Sequence, residues 1–434
     1  MARHPVQISI DDDLTRSRLT VFFRLLLTIP HFAWLLLWGI AAFFAAIANW
    51  FATLVRGTPP ASLHGFLARY VRYATHVNAF LYLAADPFPG FGGLPGTYPV
   101  DLEIPPPERQ NRATVFFRLI LIFPALVLAS VLLGGPPSVS VTTRNGKLTG
   151  ASVGGGLAGL GAFFGWFASL ARGRIPRGLR DATAWGIGYN ARYFAYLVLV
   201  TGRYPNSDPL EMLAGLEAPE HPIAMRVDDD LRRSRLTVFF RFFLSLPHLV
   251  WVSLWGWAAQ LAVFANWFIT LFGGTPSAEI NRFVGAYLRY ETHVWSYLFL
   301  AADPFPGFLG RPGSYPVELV VPEASRQNRW ITGFRLILAI PSFLLSLAYF
   351  GAMFFASIGA WFAALFTGRM PHGLRNTIAT GVRYWVQARG YLYLLTDRYP
   401  YTGPTGFGEA ATVGNPPLPD QPEWTLAPER PEAV

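Results

Sequence analysis

Two arginines six residues apart open each of four similar segments: Arg18 and Arg24, Arg112 and Arg118, Arg235 and Arg241, Arg329 and Arg335. A guanidinium stays charged and presents a planar fork of donors that fits a phosphate or a carboxylate, so this spacing points to recognition of anions. The first arginine of each pair follows Ser17, Asn111, Ser234 or Asn328, all good helix N-caps, and an apolar run begins at once. Six residues along a helix is about 9 Å. At that depth Arg24 and its equivalents are expected to snorkel to a lipid phosphate or to pair with a carboxylate such as Asp86, Asp303 or Asp397, whereas the second segment has Gly202 there.

A second basic grouping is Arg72 with His76, repeated as Arg289 with His293 and weakened there by Glu291. These read as a basic, lipid-facing patch. His4 with His221 and His31 with His248 recur at the same separation of 217 residues. No two histidines stand four apart and no HExxH occurs, so a metal site would have to draw on distant segments. The glycines of Gly154–Gly161 lack the lysine of a phosphate-binding loop, and there is no nucleophile elbow. With no cysteine in the chain, thiolate chemistry and disulfides are excluded. No catalytic residues, cofactor or metal are therefore expected, and an enzyme is the less favoured reading.

The elements that position these residues are apolar. Charged residues make up 14% of the chain and hydrophobic ones 52%, with a mean hydropathy of +0.32, against roughly 25% charged in soluble domains. A net charge of +9 would raise nucleic acid as a partner in a soluble protein. Here the arginines flank apolar spans, which fits anionic lipid instead, and no nucleic-acid partner is expected. The polar, acidic stretch from Met1 to Asp13 resembles no cleavable signal, so the first apolar segment is expected to direct insertion.

The chain repeats itself. Ser17–Arg24 (SRLTVFFR) recurs identically at Ser234–Arg241 and Ala85–Phe91 (ADPFPGF) at Ala302–Phe308, while weaker copies occur at Asn111–Arg118 and Asn328–Arg335. Four units follow, over 1–96, 97–205, 221–313 and 314–400, with a polar linker at 206–220 and a disordered tail at 401–434. Each opens on an alternating strand (His4–Ile10, Tyr98–Ile104, His221–Val227, Tyr315–Val321) with proline second. Leu19–Val55 is almost wholly apolar and would be about 55 Å long as one helix, against a hydrocarbon core of about 30 Å. The second unit inserts a polar segment at about 134–156, with an Asn-Gly turn that reads as a β-hairpin. Glycines stand near the matching point elsewhere (Gly39, Gly256, Gly351), so two short spans joined by a tight turn are expected in every unit. The rival reading makes one long span of Pro30–Val55 and a second of the helix after it.

The expected fold is thus a polytopic, all-α membrane protein with short β-strands. It has about eight transmembrane helices in four hairpin units, amphipathic interfacial helices such as Phe66–Ala85, and a small cytoplasmic β-sheet. Arginine on one side places both termini in the cytoplasm.

The [SN]Rx[TI]xxFR motif, the proline after it and the preceding YPV or HPV strand resemble a family of multi-pass membrane proteins of unknown function, bacterial and mainly actinobacterial. The resemblance runs from His4 to Pro400 and implies a multi-pass protein of the bacterial cell membrane with no assigned activity. The reading that follows is a non-catalytic protein binding anionic lipid headgroups, or a membrane or cytoplasmic partner, through the twelve residues of the arginine pairs and the two Arg–His groups. A second copy of the chain is a further possible partner. A transporter or channel for a small or lipid-like substrate is the alternative, and a lipid-modifying enzyme a third.

Overall fold

The computed structural model describes residues 3–134, 138–144 and 147–407. In the first half β1 (Gln7–Ile10) leads into α1 (Arg18–Arg56) and α2 (Ala61–Leu81), and β2 (Val100–Glu103) follows. Next come α3 (Arg112–Phe116), α4 (Arg118–Leu121), α5 (Phe123–Leu132), β3 (Ser138–Arg144), β4 (Lys147–Gly154), α6 (Leu157–Arg172), α7 (Arg177–Leu197) and α8 (Pro209–Met212). The second half repeats the order with β5 (Ala224–Val227), α9 (Arg235–Gly273), α10 (Ala278–Leu298), β6 (Val317–Val320), α11 (Arg329–Leu338), α12 (Ile340–Thr367) and α13 (His372–Leu392). The expected caps form. Ser17 and Ser234 accept from the backbone N–H three residues on, Asn111 and Asn328 from the one two residues on, and glycines with positive φ (Gly57, Gly173, Gly274, Gly368) end the long helices.

The tight turn does not form in the first, third and fourth units; only in the second is the long helix interrupted, by the strand pair β3–β4 between α5 and α6. α1 and α9 each run unbroken for 39 residues, with Pro30 and Pro247 inside them, and α12 runs for 28. Gly39 and Gly256 serve packing: a Cβ there would lie 3.1 Å and 2.9 Å from the hydroxyls of Tyr70 and Tyr287. Among the described residues three helices, not about eight, are long and apolar enough to cross a membrane: α1, α9 and α12.

The expected interfacial helices are also corrected. α2, α7, α10 and α13 form a buried middle layer, because strands and neighbouring helices supply partners for the polar groups that a sequence reading would leave facing solvent. One layer consists of the long helices: α1 packs on α3 and α6, α12 on α5 and α6, and α9 on α11 and α12. Beneath it α2 packs on α7 and α10 on α13. Below that lie two antiparallel strand pairs, β1–β2 (Ile8 opposite Leu102) and β5–β6 (Met225 opposite Leu319). Those strands fall where the alternation predicts them, as two separate pairs and not one sheet.

β3 and β4 pair in the insertion, and its turn at Asn145 and Gly146 lies outside the described residues. Residues 401–407, expected within the tail, are part of the fold, where Tyr401 donates to Asp181 (2.6 Å); the rest of the expected tail, 408–434, lies outside the described residues.

Candidate functional site

The second arginine of every pair is a clamp on the end of the middle-layer helix of its own unit. Arg24 is 2% exposed; its Nη1 donates to the carbonyls of Phe80 and Ala85 (2.9 Å to the latter) and its Nη2 to Asp86 (2.6 Å). Arg241 repeats this on Tyr297 (2.6 Å), Ala302 (2.8 Å) and Asp303 (2.5 Å). Arg118 donates to the carbonyls of Tyr196 (3.0 Å) and Thr201 (3.2 Å), and Arg335 to those of Tyr391 and Thr396 (2.9 Å). Helix C-termini carry unsatisfied carbonyls and partial negative charge, so a guanidinium fork suits the place. The expected partners Asp86 and Asp303 are found. Asp397 is not used; Gln327 takes its role at 2.7 Å, as Gln110 does for Arg118 at 2.6 Å.

Those glutamines occupy a position that the sequence reading passed over. The residue before the N-cap alternates Arg16, Gln110, Arg233, Gln327 along the chain. Arg16 donates to the carbonyls of Leu83 (2.9 Å) and Ala84 (3.1 Å) and is held by Asp12 (2.9 Å), and Arg233 does the same with Leu300, Ala301 and Asp229. Gln110 and Gln327 donate to Leu199 and Leu394 (2.9 and 2.6 Å). These four leucines adopt left-handed φ of 62–67° at the position where helices commonly carry glycine. Their side chains are buried and their carbonyls held, which keeps them in a conformation that costs about 1 kcal/mol or more. The alternation of arginine and glutamine was the signal that could have revealed the motif.

The first arginine of every pair is exposed. Arg18 reaches the carbonyl of Ala171 (3.1 Å) at the end of α6, and Arg112 that of Val55 (2.7 Å) at the end of α1, so the two units of the first half cap one another. Arg109 stands beside Arg112: a Cβ on Gly57 would lie 3.8 Å from Nε of Arg112 and 4.0 Å from Nε of Arg109. The pair recurs at Gly274 with Arg329 (3.5 Å) and Arg326 (4.0 Å). Among the described residues none of these exposed arginines has a carboxylate within ion-pair distance.

The Arg–His groups face inward, not toward lipid. Arg72 and His76 converge on Asp101 (3.2 and 3.0 Å), and Arg72 also donates to the carbonyl of Leu102, which fastens β2 to α2. Burial opposes the charge on Asp101, but hydrogen bonds from His76, Gly96 and Leu102 outweigh it and hold the carboxyl below its usual range. In the second half Arg289 pairs with Glu318 (2.9 Å), and His293 lies 4.0 Å from the same carboxylate. Burial, and then the charge of Arg289, push the His293 imidazole down to about 4, so it is neutral at pH 7.

Under the long helices of the first half run two apolar grooves. One, of about 630 Å³, is lined by Gly39, Phe43, Ile47, Phe51, Phe194 and Arg118 among others, and a smaller one of about 290 Å³ by Leu25, Phe163, Phe167 and Arg24. Each stops one helical turn short of a capped end: Phe51 precedes Val55, and Phe167 precedes Ala171. In the second half the matching place is polar. Gln260, Glu291 and Arg389 stand where the first half has Phe43, Ala74 and Phe194, and Gln260 and Arg389 line a cavity of about 160 Å³. Glu291 is 1% exposed, ion-paired to Arg389 (3.0 Å), and accepts from Trp295 (3.2 Å).

Residues 18–92, 235–309 and 329–402 match a domain of unknown function, DUF4389, and together cover just over half of the sequence. The chain belongs to this family. Each matched segment begins at the first arginine of a pair and extends past the carbonyls that the second arginine clamps, so the family unit is the long helix, the middle-layer helix and the clamp between them. Residues 93–234, which hold the second unit, lie outside the matched segments. No curated protein and no solved structure matches the chain.

The buried histidines make stability depend on pH. His4, like His293, is pushed down to about 4, first by burial and then by the charge of Arg192. Unfolded, each titrates near 6.5, so between about 6.5 and 4 the unfolded chain binds more protons than the folded one and stability falls with pH. Their contribution is intact above pH 6.5 and is lost as the pH drops toward 4, to a limit of about 3 kcal/mol for each histidine. Melting temperatures measured from pH 7 to pH 4 should fall, and His4→Gln should flatten the curve; an equal slope in that variant would refute the assignment.

Proposed function

We propose that this is a non-catalytic, membrane-bound protein that recognises anionic lipid headgroups through the exposed arginines at the ends of its long helices, with the second unit acting as a diverged fourth copy. The observation that carries this reading is the register of the grooves with the arginines. An apolar channel of about 630 Å³ ends one turn from the carbonyl that Arg112 caps, where Arg109 stands beside it with no carboxylate in reach among the described residues. Such a channel has the size and lining of a ligand site. A phosphate between Arg109 and Arg112 would send its acyl chain along Phe51, Ile47 and Phe43. The smaller groove repeats the arrangement, with Arg18 at the capped end of α6.

The buried arginines Arg24, Arg118, Arg241 and Arg335 support this site indirectly, by fixing the helices that form the grooves. The fourth copy is supported by the bonds of Arg118 and Gln110, which match those of Arg335 and Gln327. The excess of arginine over acidic residues at the helix ends favours the cytoplasmic side, and we place the arginines and both ends of the chain there.

Vesicle flotation tests this. Each basic residue at an anionic surface is worth about 1 kcal/mol, so the Arg109→Gln, Arg112→Gln, Arg326→Gln, Arg329→Gln variant should lose up to about a thousandfold of its affinity for phosphatidylglycerol vesicles. Its retention in phosphatidylcholine should be unchanged. Equal loss in both lipids, or none, would sink the proposal.

A further inference from the structure

Two of the three helices with the length and apolarity of membrane spans, α1 and α9, are much longer than a bilayer core is thick. α1 has 39 residues, about 58 Å of helix against a hydrocarbon core of about 30 Å. A spanning helix of that length would bury its projecting ends in protein or make them polar. Neither is seen. One stripe is buried from the first turn to the last (Val21, Thr28, His31, Ala42, Asn49, Thr53), while apolar exposure stays level along the other faces: Leu25 74%, Leu36 68%, Phe44 64%, Val55 74%. α9 repeats this from Leu236 (71%) through Leu261 (71%) to Phe272 (73%).

The strand layer makes the point independently. Ile10 at the end of β1 is seven residues from Ser17 at the start of α1. At the other end, the Gly57 carbonyl accepts from the Gln110 N–H (2.8 Å), and Gln110 is seven residues beyond Glu103 in β2. Seven residues reach at most about 25 Å. Both ends of α1 are therefore tethered to one strand pair, whose polar members include Ser9, Asp101 and Glu103. An upright α1 would carry that pair, with Asp101 and the Arg72 bonded to it, to the middle of the bilayer, where charge and open strand edges are not tolerated. Exposed arginines also stand at both ends of the long helices: Arg18 and Arg174 at one end of α1, Arg56 and Arg112 at the other. Positive charge at both ends fits headgroups of one leaflet, not two opposite surfaces.

We infer that the long helices lie flat, as a raft whose apolar side is sunk into a single leaflet, so that the protein is monotopic. The middle helices form the next layer and the strand pairs face water. The occupant of the exposed apolar face is lipid hydrocarbon. The rim arginines at its ends are the headgroup site proposed above; the orientation itself rests on helix length, exposure and strand tethering, and not on lipid charge.

The chain has no cysteine, so single cysteines report without background. Leu25→Cys, Phe44→Cys and Val55→Cys, all at exposed positions, would carry a nitroxide in protein reconstituted into sealed vesicles. Depth is read from collision with oxygen against a water-soluble nickel chelate. All three labels are expected at one shallow depth, about 5–10 Å below the phosphates, with the chelate effective from one side only. Phe44 at the midplane, with Leu25 and Val55 reached from opposite sides, would overturn the inference. Labels shielded from lipid in a cross-linked dimer would overturn it as well, by assigning the face to a second copy. Repeating the measurement in phosphatidylcholine alone separates the two proposals: the same depth and affinity there would leave the flat orientation standing and remove anionic recognition.

Discussion

Replacing Arg24 with alanine is expected to destabilise the protein by about 3–5 kcal/mol, the range for removing one partner of a buried ion pair. Three losses coincide. The carbonyls of Phe80 and Ala85 lose their donor, Asp86 loses its counter-ion, and the turn that holds Leu83 at positive φ loses a support. Arg24→Lys should recover only part of this, because one ammonium cannot occupy the two branches of the fork. The exposed cap Arg18→Ala should cost about 1 kcal/mol or less, since its single bond competes with water. Arg118→Ala should fall between them, because its side-chain partner is Gln110 and no carboxylate is stranded. Thermal unfolding of the four variants in one detergent ranks them, and equal losses for Arg18→Ala and Arg24→Ala would refute the clamp.

The second large effect is expected at Glu291. Its carboxylate is the counter-ion of Arg389, whose guanidinium also lies over the rings of Trp385 (5.4 Å) and Tyr393 (4.9 Å). Burial disfavours the charge on Arg389, but the field of Glu291 outweighs it and holds the guanidinium more firmly protonated than usual. Glu291→Ala leaves that largely buried charge without its counter-ion and should cost up to about 3–5 kcal/mol. The first half already contains the apolar form of this site, in Phe43, Ala74 and Phe194. Gln260→Phe, Glu291→Ala and Arg389→Phe together should therefore restore most of the stability that Glu291→Ala removes, since a buried ion pair can be replaced by packed apolar groups at little net cost. Thermal unfolding of the single and triple variants measures the recovery. If the triple variant is no more stable than the single one, the two halves do not share this packing site.

The pattern of apolar runs and the spacing of arginines carried a good deal. Helix starts at Ser17, Asn111, Ser234 and Asn328 were legible because a cap and a following apolar run are local signals, and four short strands were legible from alternation beside proline. The ion pairs of Arg24 with Asp86 and Arg241 with Asp303 were legible because the duplication set both partners at matching offsets. Residues without a charge gave no such signal. Gln110 and Gln327 read as ordinary loop residues, although they complete the clamps of the even units.

What the sequence determined by itself is which side chains meet apolar surroundings and where helices begin: hydrophobicity and capping act over a few residues. It could not say which apolar faces are packed against protein and which stay exposed, because both are equally apolar. That distinction belongs to tertiary packing. The chain alone made Gly39 a turn and Arg72 a lipid-facing cation; the packed layers made the first a seat for Tyr70 and the second a tie to β2. The arginine pairs split in the same way. Their sequence spacing placed all eight at or near helix starts, but only the folded chain decided that four are spent on buried helix ends and four stay exposed.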